Sequence, residues 1–408
     1  MFATFVAVIL GIHTLSSVGL PPLEWSVGGV ELGWIWSYLQ AVTYLHFATL
    51  VRPQMRPLWW RALISVPASF FVAGVFLAIP WAIIAALGIE PHGLWIPFVI
   101  ALGGLVQSLW TREEIVDLHL DGSERGPTLE PHFSGKNGRS GRSGRSGRSG
   151  RGGRGGRGGR GGDRARSAQA SARPLTVVQI TDPHLGPFMS ERRLRGICAR
   201  AVAREPDLIL LTGDFLTMES QRDPEVLCRA LAPLAEARGR VFACFGNHDH
   251  EAPELVVRAL ARAGVVLLID DEVIAQPPQG PVQILGFDFV WRGREAHLRE
   301  VCERFPRLPG HHRIALLHDP GAFRQLPPGT ADIVFSGHTH GGQVGLISLG
   351  LRWTVLRTLS TIPDHGLWAR GSDLLYIHRG TGHYGFPLRL GVPAEESLVR
   401  LHVERSQG

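Results

Sequence analysis

The sequence predicts an α/β protein in which an N-terminal four-helix transmembrane region precedes a domain of alternating strands and helices. Three observations predict this class. Long runs without charged side chains fill residues 1–111, and from residue 174 onward strand-like runs alternate with helical ones. Aspartate or histidine follows several of the strand-like runs. The 408 residues have room for two such parts and a long connecting segment.

The N-terminal part contains four apolar runs, each free of Asp, Glu, Lys and Arg. They are residues 1–23, 32–51, 62–89 and 91–111. Each run is long enough to cross about 30 Å of hydrocarbon as a helix. Tryptophans near the run ends agree with an interfacial belt. A cleaved signal peptide is the alternative for the first run, which however lacks a basic start and a small-residue cleavage site.

Arginine placement predicts the orientation of these helices. The loop between the second and third runs holds Arg52, Arg56 and Arg61, whereas the charged residues of the other two loops are all glutamates. The positive-inside rule then puts both termini in the cytoplasm. The four cysteines show no CxxC spacing and are typical of reduced thiols. We therefore expect a multi-pass protein of the cell (inner) membrane with a cytoplasmic C-terminal domain over residues 112–408.

A basic repeat interrupts the start of that domain. Residues 115–120 partly alternate and predict a strand, and a Gly-Arg-Ser and Arg-Gly-Gly tract follows within an insertion at about 122–172. The tract has no apolar side chains with which to form a core, so we expect disorder. Residues 135–166 carry a net charge of +10 and residues 1–134 one of −4, so the total of +6 leaves residues 167–408 neutral. Passive repeat expansion, adhesion to an anionic lipid surface and nucleic-acid binding are the three interpretations of this charge, and nucleic acid is the least favoured because aromatic stacking residues are absent.

The remaining chain alternates between two kinds of run. Strands are predicted at 175–180, 208–212, 241–245, 282–286, 314–317, 333–336 and 374–378, and helices at 190–204, 224–237, 253–263 and 294–305. Active sites of open α/β sheets lie at the carboxyl ends of the strands.

Five short motifs at predicted strand ends carry the candidate chemistry. The residues able to bind metal are Asp182, His184, Asp214, Asn247, His318, His338 and His340. Each motif alone is weak, since a turn aspartate or a core histidine explains it equally well. Together they supply the nitrogen and oxygen ligands that suit divalent transition metals, and a shared carboxylate holds two ions about 3.5–4 Å apart. The sequence therefore predicts a binuclear metal centre.

The motif set D-x-H, GD, GNHD, a lone His and GHTH resembles that of the calcineurin-like metallophosphoesterase superfamily over about residues 174–403. The resemblance implies a β-sandwich flanked by helices. It also implies two divalent ions, of Mn, Fe or Zn. One would be held by Asp182, His184, Asp214 and His340, and the other by Asp214, Asn247, His318 and His338.

The resemblance further implies catalytic roles. His248 would lie beside the scissile phosphate, steadied by Asp249, and Asp319 is a candidate to orient a ligand imidazole. The sequence after Gly337 and the segment near residues 379–395 look like the membrane-anchored bacterial phosphodiesterase branch, which includes pyrophosphatases acting on UDP-diacylglucosamine. Arg389 and Tyr384 are candidate substrate contacts, with a solvated strand charge as the alternative for Arg389.

These features predict a membrane-anchored, cytoplasm-facing phosphohydrolase acting on phosphodiester or pyrophosphate bonds, with a lipid-linked or nucleotide-linked substrate as one option. Two non-enzymatic alternatives are a membrane scaffold and an RNA-tethering protein that uses the Arg-Gly repeat. The scaffold is disfavoured because the four runs contain no charged residues of the kind that line transport pathways.

Overall fold

The computed structural model describes residues 2–20, 26–27, 30–31, 33–50, 54–120, 173–186, 188–217, 220–382 and 388–403. The predicted insertion at about 122–172, Arg52 and Tyr384 lie outside these residues. The N-terminal part consists of helices and one two-stranded ribbon. Its elements are α1 (Phe2–Val18), β1 (Ser26–Val27), β2 (Val30–Glu31), α2 (Gly33–Thr49), α3 (Leu58–Leu77), α4 (Ile79–Ala86) and α5 (Ile96–Ser108).

These helices follow the four apolar runs, with one break. The third run forms α3, which contains a π-helical turn at Arg61–Ser65, and then α4. The break at Ala78 comes two residues before Pro80, whose ring and missing N–H interrupt a helix. By length and composition, α3 is the one helix among the described residues that passes as a membrane span, and Val6–Val18 and Ile96–Ser108 are shorter apolar helices.

The C-terminal part is a sandwich of two six-stranded sheets. The first sheet has the order β3-β14-β4-β5-β6-β7 and the second β12-β13-β11-β10-β9-β8. The strands of the first sheet are β3 (Thr111–His119), β4 (Leu175–Ile180), β5 (Leu208–Leu211), β6 (Val241–Ala243), β7 (Val266–Leu267) and β14 (Ala394–His402). Those of the second are β8 (Asp271–Ala275), β9 (Val282–Gly286), β10 (His312–Leu316), β11 (Ile333–Ser336), β12 (Gly366–Arg370) and β13 (Asp373–Ile377).

Helices cover both outer faces of the sandwich. The helices that do so are α6 (Glu191–Ala203), α7 (Val226–Leu231), α8 (Pro253–Arg262) and α9 (Arg294–Arg304), and a short helix, α10 (Val355–Leu359), lies between β11 and β12. Alternation along β5 shows the layers: Leu208 and Leu210 pack between the sheets, whereas Ile209 and Leu211 pack against α6, α7 and α8. A third cluster joins the second sheet to α9. The predicted sandwich flanked by helices is therefore present.

Strand β3 joins the helical region directly to the first sheet. It begins three residues after α5 ends and pairs in parallel with β14 from Thr111↔Ala394 to His119↔His402. β14 then pairs antiparallel with β4. The predicted strand at 115–120 thus exists, begins earlier than expected and lies at the sheet edge.

The other predicted elements appear close to their expected bounds, and four strands of the two six-stranded sheets were missed. All seven strands predicted after residue 174 form, and the four predicted helices form as α6, α7 with a following 3₁₀ turn, α8 and α9. β7, β8, β12 and β14 were not predicted. β14 contains two consecutive glutamates, Glu395 and Glu396, and both are buried.

Candidate metal centre

Five loops bring the predicted ligands to one edge of the sandwich. They follow β4, β5 and β6, which are adjacent parallel strands of the first sheet, and β10 and β11, which are adjacent and parallel in the second. Carboxyl ends of adjacent parallel strands share an edge. Two groups of side chains there have ligand atoms within 4.8 Å of one another, Asp182 with His184 and His340, and Asp214 with His318 and His338.

In the first group two imidazole nitrogens face each other across a carboxylate. Nε2 of His184 lies 3.1 Å from Nε2 of His340. Oδ1 of Asp182 is 3.8 Å from the former nitrogen and 3.5 Å from the latter. Ring nitrogens this close either share a proton in a hydrogen bond or bind a common cation, so the pair has the geometry of a metal site.

The second group repeats this arrangement, and Asp214 connects the two. Nδ1 of His338 lies 3.2 Å from Nε2 of His318. Oδ2 of Asp214 is 3.2 Å from that His318 nitrogen and 3.5 Å from Nε2 of His184 in the first group. One carboxylate oxygen therefore lies between both groups.

Backbone strain is concentrated at these residues. Eight non-glycine residues of the described chain have positive φ, and five of them are predicted ligands. They are Asp182 (50°), His184 (44°), Asp214 (59°), His338 (69°) and His340 (52°). Left-handed backbone is uncommon outside glycine and is retained where surrounding structure holds it for function.

Hydrogen bonds fix the orientation of the ligand side chains. Nδ1 of His318 bonds the carbonyl oxygen of Thr212 at 2.6 Å, which turns Nε2 toward Asp214. Asp182 accepts hydrogen bonds from the hydroxyl of Thr181 (2.7 Å) and the backbone N–H of His338 (2.9 Å). Asp319, the expected orienting residue, instead accepts from Arg294 (2.5 Å) and caps the following turn. The expectation that Asp319 orients a ligand imidazole was wrong for His318, because the carbonyl oxygen of Thr212 already bonds the Nδ1 atom of His318.

Burial and charge set the protonation of the site. Burial lowers the pKa of His184 to about 3 and that of His338 to about 4, so both imidazoles are neutral. Burial opposes charge on Asp214, but neighbouring His318 outweighs it and holds the Asp214 pKa well below its ordinary value. Burial likewise disfavours the cation of His318, yet the Asp214 carboxylate raises the His318 pKa to about 10. A bound divalent cation would replace that proton.

Asn247 provides a further observation that fits a metal. Its Oδ1 atom is buried and has no hydrogen-bond partner among the residues that the structure describes. A buried amide oxygen left without a partner costs about 1–3 kcal/mol, so such atoms generally have a use. The donor set of imidazoles, carboxylates and this amide oxygen suits divalent metals.

His248 and Asp249 have different partners from those expected. Nδ1 of His248 bonds Oε1 of Glu251 at 2.9 Å. Asp249 is fully buried and its carboxylate accepts from the backbone N–H groups of Asp214, Phe215 and Gly246, each at 2.8 Å. Asp249 therefore acts on His248 through its charge, which contributes to the raised His248 pKa, while its hydrogen bonds go to the backbone. Three main-chain donors already occupy the Asp249 carboxylate, and Glu251 lies one turn further along the 3₁₀ segment Asp249–Glu251.

Glu251 changes the electrostatics of His248. Burial opposes protonation of His248, but the hydrogen bond to Glu251 and the charge of Asp214 outweigh it and raise the His248 pKa. The ring of His248 lies 5.3 Å from that of His184, centroid to centroid. Glu251 is a residue that the sequence analysis missed, and its position three residues after a site histidine was the available signal.

Arg389 lies beneath the first group of ligands. It is fully buried, and its Nη2 atom donates to the carbonyl oxygen of Arg379 at 2.8 Å and lies 3.4 Å from Nδ1 of His340. Its backbone N–H donates to the hydroxyl of Ser108, the last residue of α5, at 2.8 Å. The structure thus places Arg389 between α5 and a candidate ligand.

An aromatic wall borders the second group and had no sequence signal. The Phe289 ring centroid is 6.3 Å from that of His318 and 6.2 Å from that of His338. Trp291 packs edge-on against Phe289 at 4.7 Å and is largely exposed. Aromatic residues in a loop after a strand are common in cores, so only the folded neighbourhood identifies them.

Known proteins are similar to this chain in sequence. The profile of the family described as calcineurin-like phosphoesterase matches residues 175–342. The chain is 28% identical over 237 residues to "Phosphodiesterase YaeI" of Escherichia coli (strain K12), covering 57% of this chain and 83% of that protein. It is 28% identical over 283 residues to "UDP-2,3-diacylglucosamine pyrophosphatase LpxG" of Chlamydia muridarum (strain MoPn / Nigg), and the match covers 55% of this chain and 83% of that protein. It is 30% identical over 210 residues to "Uncharacterized metallophosphoesterase YkoQ" of Bacillus subtilis (strain 168), covering 48% and 72%.

The family profile spans the loops after β4, β5, β6, β10 and β11, from which both groups of candidate ligands come. The predicted superfamily and the enzymatic class are confirmed. The chain belongs to the calcineurin-like phosphoesterase family and is a metal-dependent phosphoesterase.

Proposed function

We propose that this chain is a membrane-anchored, cytoplasm-facing phosphodiesterase or pyrophosphatase with a binuclear metal centre. The observation that carries the proposal is the position of Asp214 Oδ2, within 3.5 Å of a histidine nitrogen in each ligand group. A carboxylate in that position can bind two cations at once.

The proposed ligands divide between two ions. Asp182, His184, Asp214 and His340 hold one, and Asp214, Asn247, His318 and His338 hold the other. When bound, the two divalent ions supply an activated water near neutral pH and neutralise charge on the phosphoryl oxygens. Mn, Fe and Zn all suit this mixture of nitrogen and oxygen donors.

The chain's own groups position and protonate the substrate. His248, whose pKa is raised beside Glu251, takes up a proton more readily than a free imidazole and in this proposal donates it toward the departing oxygen. Asp249 clamps the loops after β5 and β6 through main-chain N–H groups, which fixes Asp214 relative to Asn247. We propose that Arg389 holds His340 in place rather than contacting substrate, because its guanidinium is enclosed by carbonyl oxygens.

Membrane attachment is supported by the N-terminal helices. They expose many large apolar side chains, more than the surface of a soluble monomer normally carries. The exposed set includes Val8, Ile12, Leu63, Ile83, Val99 and Leu102. Arg61, from the arginine-bearing loop, donates to the carbonyl oxygen of Gly186 at 2.8 Å. The cytoplasmic loop expected from the positive-inside rule therefore contacts the catalytic part.

The same arrangement supports an amphiphilic substrate. The metal centre is joined to α5 through Arg389 and Ser108, so it is held close to the proposed bilayer. LpxG, by its name, acts on a lipid-bearing nucleotide, UDP-2,3-diacylglucosamine. We propose a phosphodiester or pyrophosphate of a lipid-linked or nucleotide-linked compound as the substrate class.

Hydrolysis of bis-p-nitrophenyl phosphate with Mn²⁺ by the purified full chain tests the centre. The His338→Ala variant loses a ligand of the second ion, and we expect its rate to fall by about 10²-fold or more. His311→Ala is the matched control, since His311 bonds only a nearby carbonyl of its own turn in the described contacts. Equal rates for His338→Ala and the unchanged protein would contradict the proposal. If the variant loses activity as expected, metal analysis identifies the ions, and a screen of nucleotide-diphospho-lipids identifies the substrate.

A further inference from the structure

A short stretch after the GHTH motif has the composition of a membrane-surface element. Nine of the seventeen residues at 346–362, here named the apolar segment, are Leu, Ile, Val or Trp. Its only charged residues are Arg352 and Arg357. Apolar side chains with tryptophan and arginine, and without acidic residues, are typical of elements that lie in a lipid headgroup region.

The apolar segment exposes the side chains that a soluble domain would bury. Leu349 is 74% exposed and Leu359 is 80% exposed, on a 3₁₀ turn and on α10 respectively. The other large apolar side chains exposed on the segment are Leu346, Leu351, Trp353 and Ile362. Contiguous exposed apolar groups of this kind mark an interaction surface.

The apolar segment is continuous with the proposed membrane helices. Nε2 of Gln107 in α5 donates to the hydroxyl of Ser348 at 2.7 Å. The N–H of Ser348 donates to the carbonyl oxygen of Gly391 at 2.8 Å, and neighbouring Leu390 packs where a side chain on Gly104 of α5 would lie. The exposed apolar surface therefore begins where α5 leaves the membrane in the proposed topology.

Hydrogen bonds also connect the apolar segment to residues beside the candidate metal centre. The hydroxyl of Thr354 donates to Asp364 at 2.5 Å, and the hydroxyl of Thr339, between two candidate ligands, donates to the Asp364 carbonyl oxygen at 2.6 Å. The backbone of Val355 bonds that of Val344, directly after the GHTHGGQ motif. A surface that contacts lipid here would lie beside the reacting centre.

We propose that the apolar segment rests in the headgroup region of an anionic bilayer, with Leu349, Trp353 and Leu359 inserted and Arg352 and Arg357 facing lipid phosphates. Arginines near an anionic surface are attracted to it by their charge. The inference rests on the proposed function in one respect, that α5 spans the membrane. It adds a second lipid contact on the catalytic part itself, at the point where an amphiphilic substrate would reach the metal centre.

Fluorescence quenching by lipid tests this contact in the full chain. Cys198, Cys228 and Cys244 are buried and Cys302 is half-buried, so Cys302→Ala gives a background suited to single labelling. An environment-sensitive label is placed at Leu349→Cys, and the protein is reconstituted into phosphatidylcholine–phosphatidylglycerol vesicles with or without doxyl-labelled acyl chains. Arg299→Cys on α9 is the water-exposed control, and Leu102→Cys on α5 is the membrane control.

We expect doxyl lipid to remove about half of the emission at residues 349 and 102 and about a tenth or less at residue 299. Adding Leu359→Asp should lower quenching at residue 349 at least twofold while hydrolysis of bis-p-nitrophenyl phosphate stays unchanged, since Leu359 lies outside the candidate centre.

Three results would overturn the inference. Quenching at residue 102 without quenching at 349 leaves the membrane anchor intact and removes the apolar segment from the bilayer. A blue-shifted but unquenched label at 349 means that protein, and not lipid, covers the segment. Quenching at neither 102 nor 349 refutes the membrane anchor and this contact together.

Discussion

Asp249 and Glu251 are two acidic residues of one loop that have different roles at the candidate metal centre. Both follow the same GNH motif, but Asp249 is buried on three backbone N–H groups while Glu251 faces His248. The buried acid organises loops, and the more exposed acid sets the charge of a neighbouring imidazole. The sequence could identify this loop as part of the site, but only coordinates separate the two roles.

Glu251→Gln should slow hydrolysis without loss of metal. The amide keeps the shape of the side chain but removes the charge that favours protonated His248, so we expect kcat to fall by about tenfold or more. Steady-state kinetics together with metal analysis check this. In a His248→Ala background the same substitution should add almost nothing, because the two residues act as a unit. Additive losses would contradict the assignment.

Glu395 makes a second prediction, on stability against pH. Burial opposes its charge, but His378 and Arg379 outweigh this and lower the Glu395 pKa from 4.5 to about 2. A depressed folded pKa contributes stability that is complete above the unfolded value and disappears as pH falls through the folded value. The contribution, roughly 3 kcal/mol, should therefore be present above about pH 4.5 and lost toward pH 2.

Thermal unfolding of Glu395→Gln against the unchanged protein measures this contribution. We expect a lower Tm for the variant at pH 7 and a difference that shrinks as the pH is lowered below about 4.5. Glu254→Gln, on the exposed face of α8, is the control. A Tm difference independent of pH would show that packing, and not charge, causes the effect.

At the scale of elements, the contact between α5 and the loop carrying Arg389 joins the proposed membrane region to the metal centre. A Cβ on Gly104 would lie 2.2 Å from Leu390 and 3.1 Å from the Arg389 carbonyl oxygen, whereas one on Gly103 would meet nothing within 4 Å. The two neighbouring glycines of α5 therefore offer a matched pair of substitutions.

Gly104→Val should reduce activity and Gly103→Val should not. Overpacking at Gly104 costs about 1–3 kcal/mol and displaces the loop that holds His340 through Arg389. Hydrolysis of bis-p-nitrophenyl phosphate by membranes with equal amounts of each variant checks the prediction. Equal activity of the two variants would show that the α5 contact does not influence the centre.

The same scale shows what sequence patterns can and cannot predict. Fully apolar strands such as Leu208–Leu211 were found, because burial on both faces leaves a continuous hydrophobic run. β14 was missed because Glu395 and Glu396 interrupt its pattern, and their partners Arg379 and Arg200 lie 16 and 196 residues away in the chain. The ligand motifs were predictable for the opposite reason, since each is local to one loop.

At the scale of the whole molecule, the Arg-Gly tract lies in the sequence between two strands of the first sheet. β3 precedes the tract and β4 follows it, and both are paired in the first sheet through β14. The tract is therefore an insertion between two sheet strands, and the connection between α5 and the catalytic part does not run through it.

Deleting residues 135–166 should leave catalysis unchanged. We expect equal hydrolysis of bis-p-nitrophenyl phosphate by the deletion variant and the full chain, in membranes at low and at high salt. A loss confined to low salt would instead indicate adhesion of the tract to anionic lipid, because salt screens such contacts.

The pairing of β3 with β14 also determines when the protein can be completed during synthesis. Within the described residues, β3 has β14 as its one sheet neighbour, and β14 ends only at His402. In the proposed topology, a ribosome that has released α5 into the bilayer must translate past residue 394 before β3 finds its partner. In that topology, termination upstream of residue 394 would leave the first strand after the proposed membrane helices without its partner.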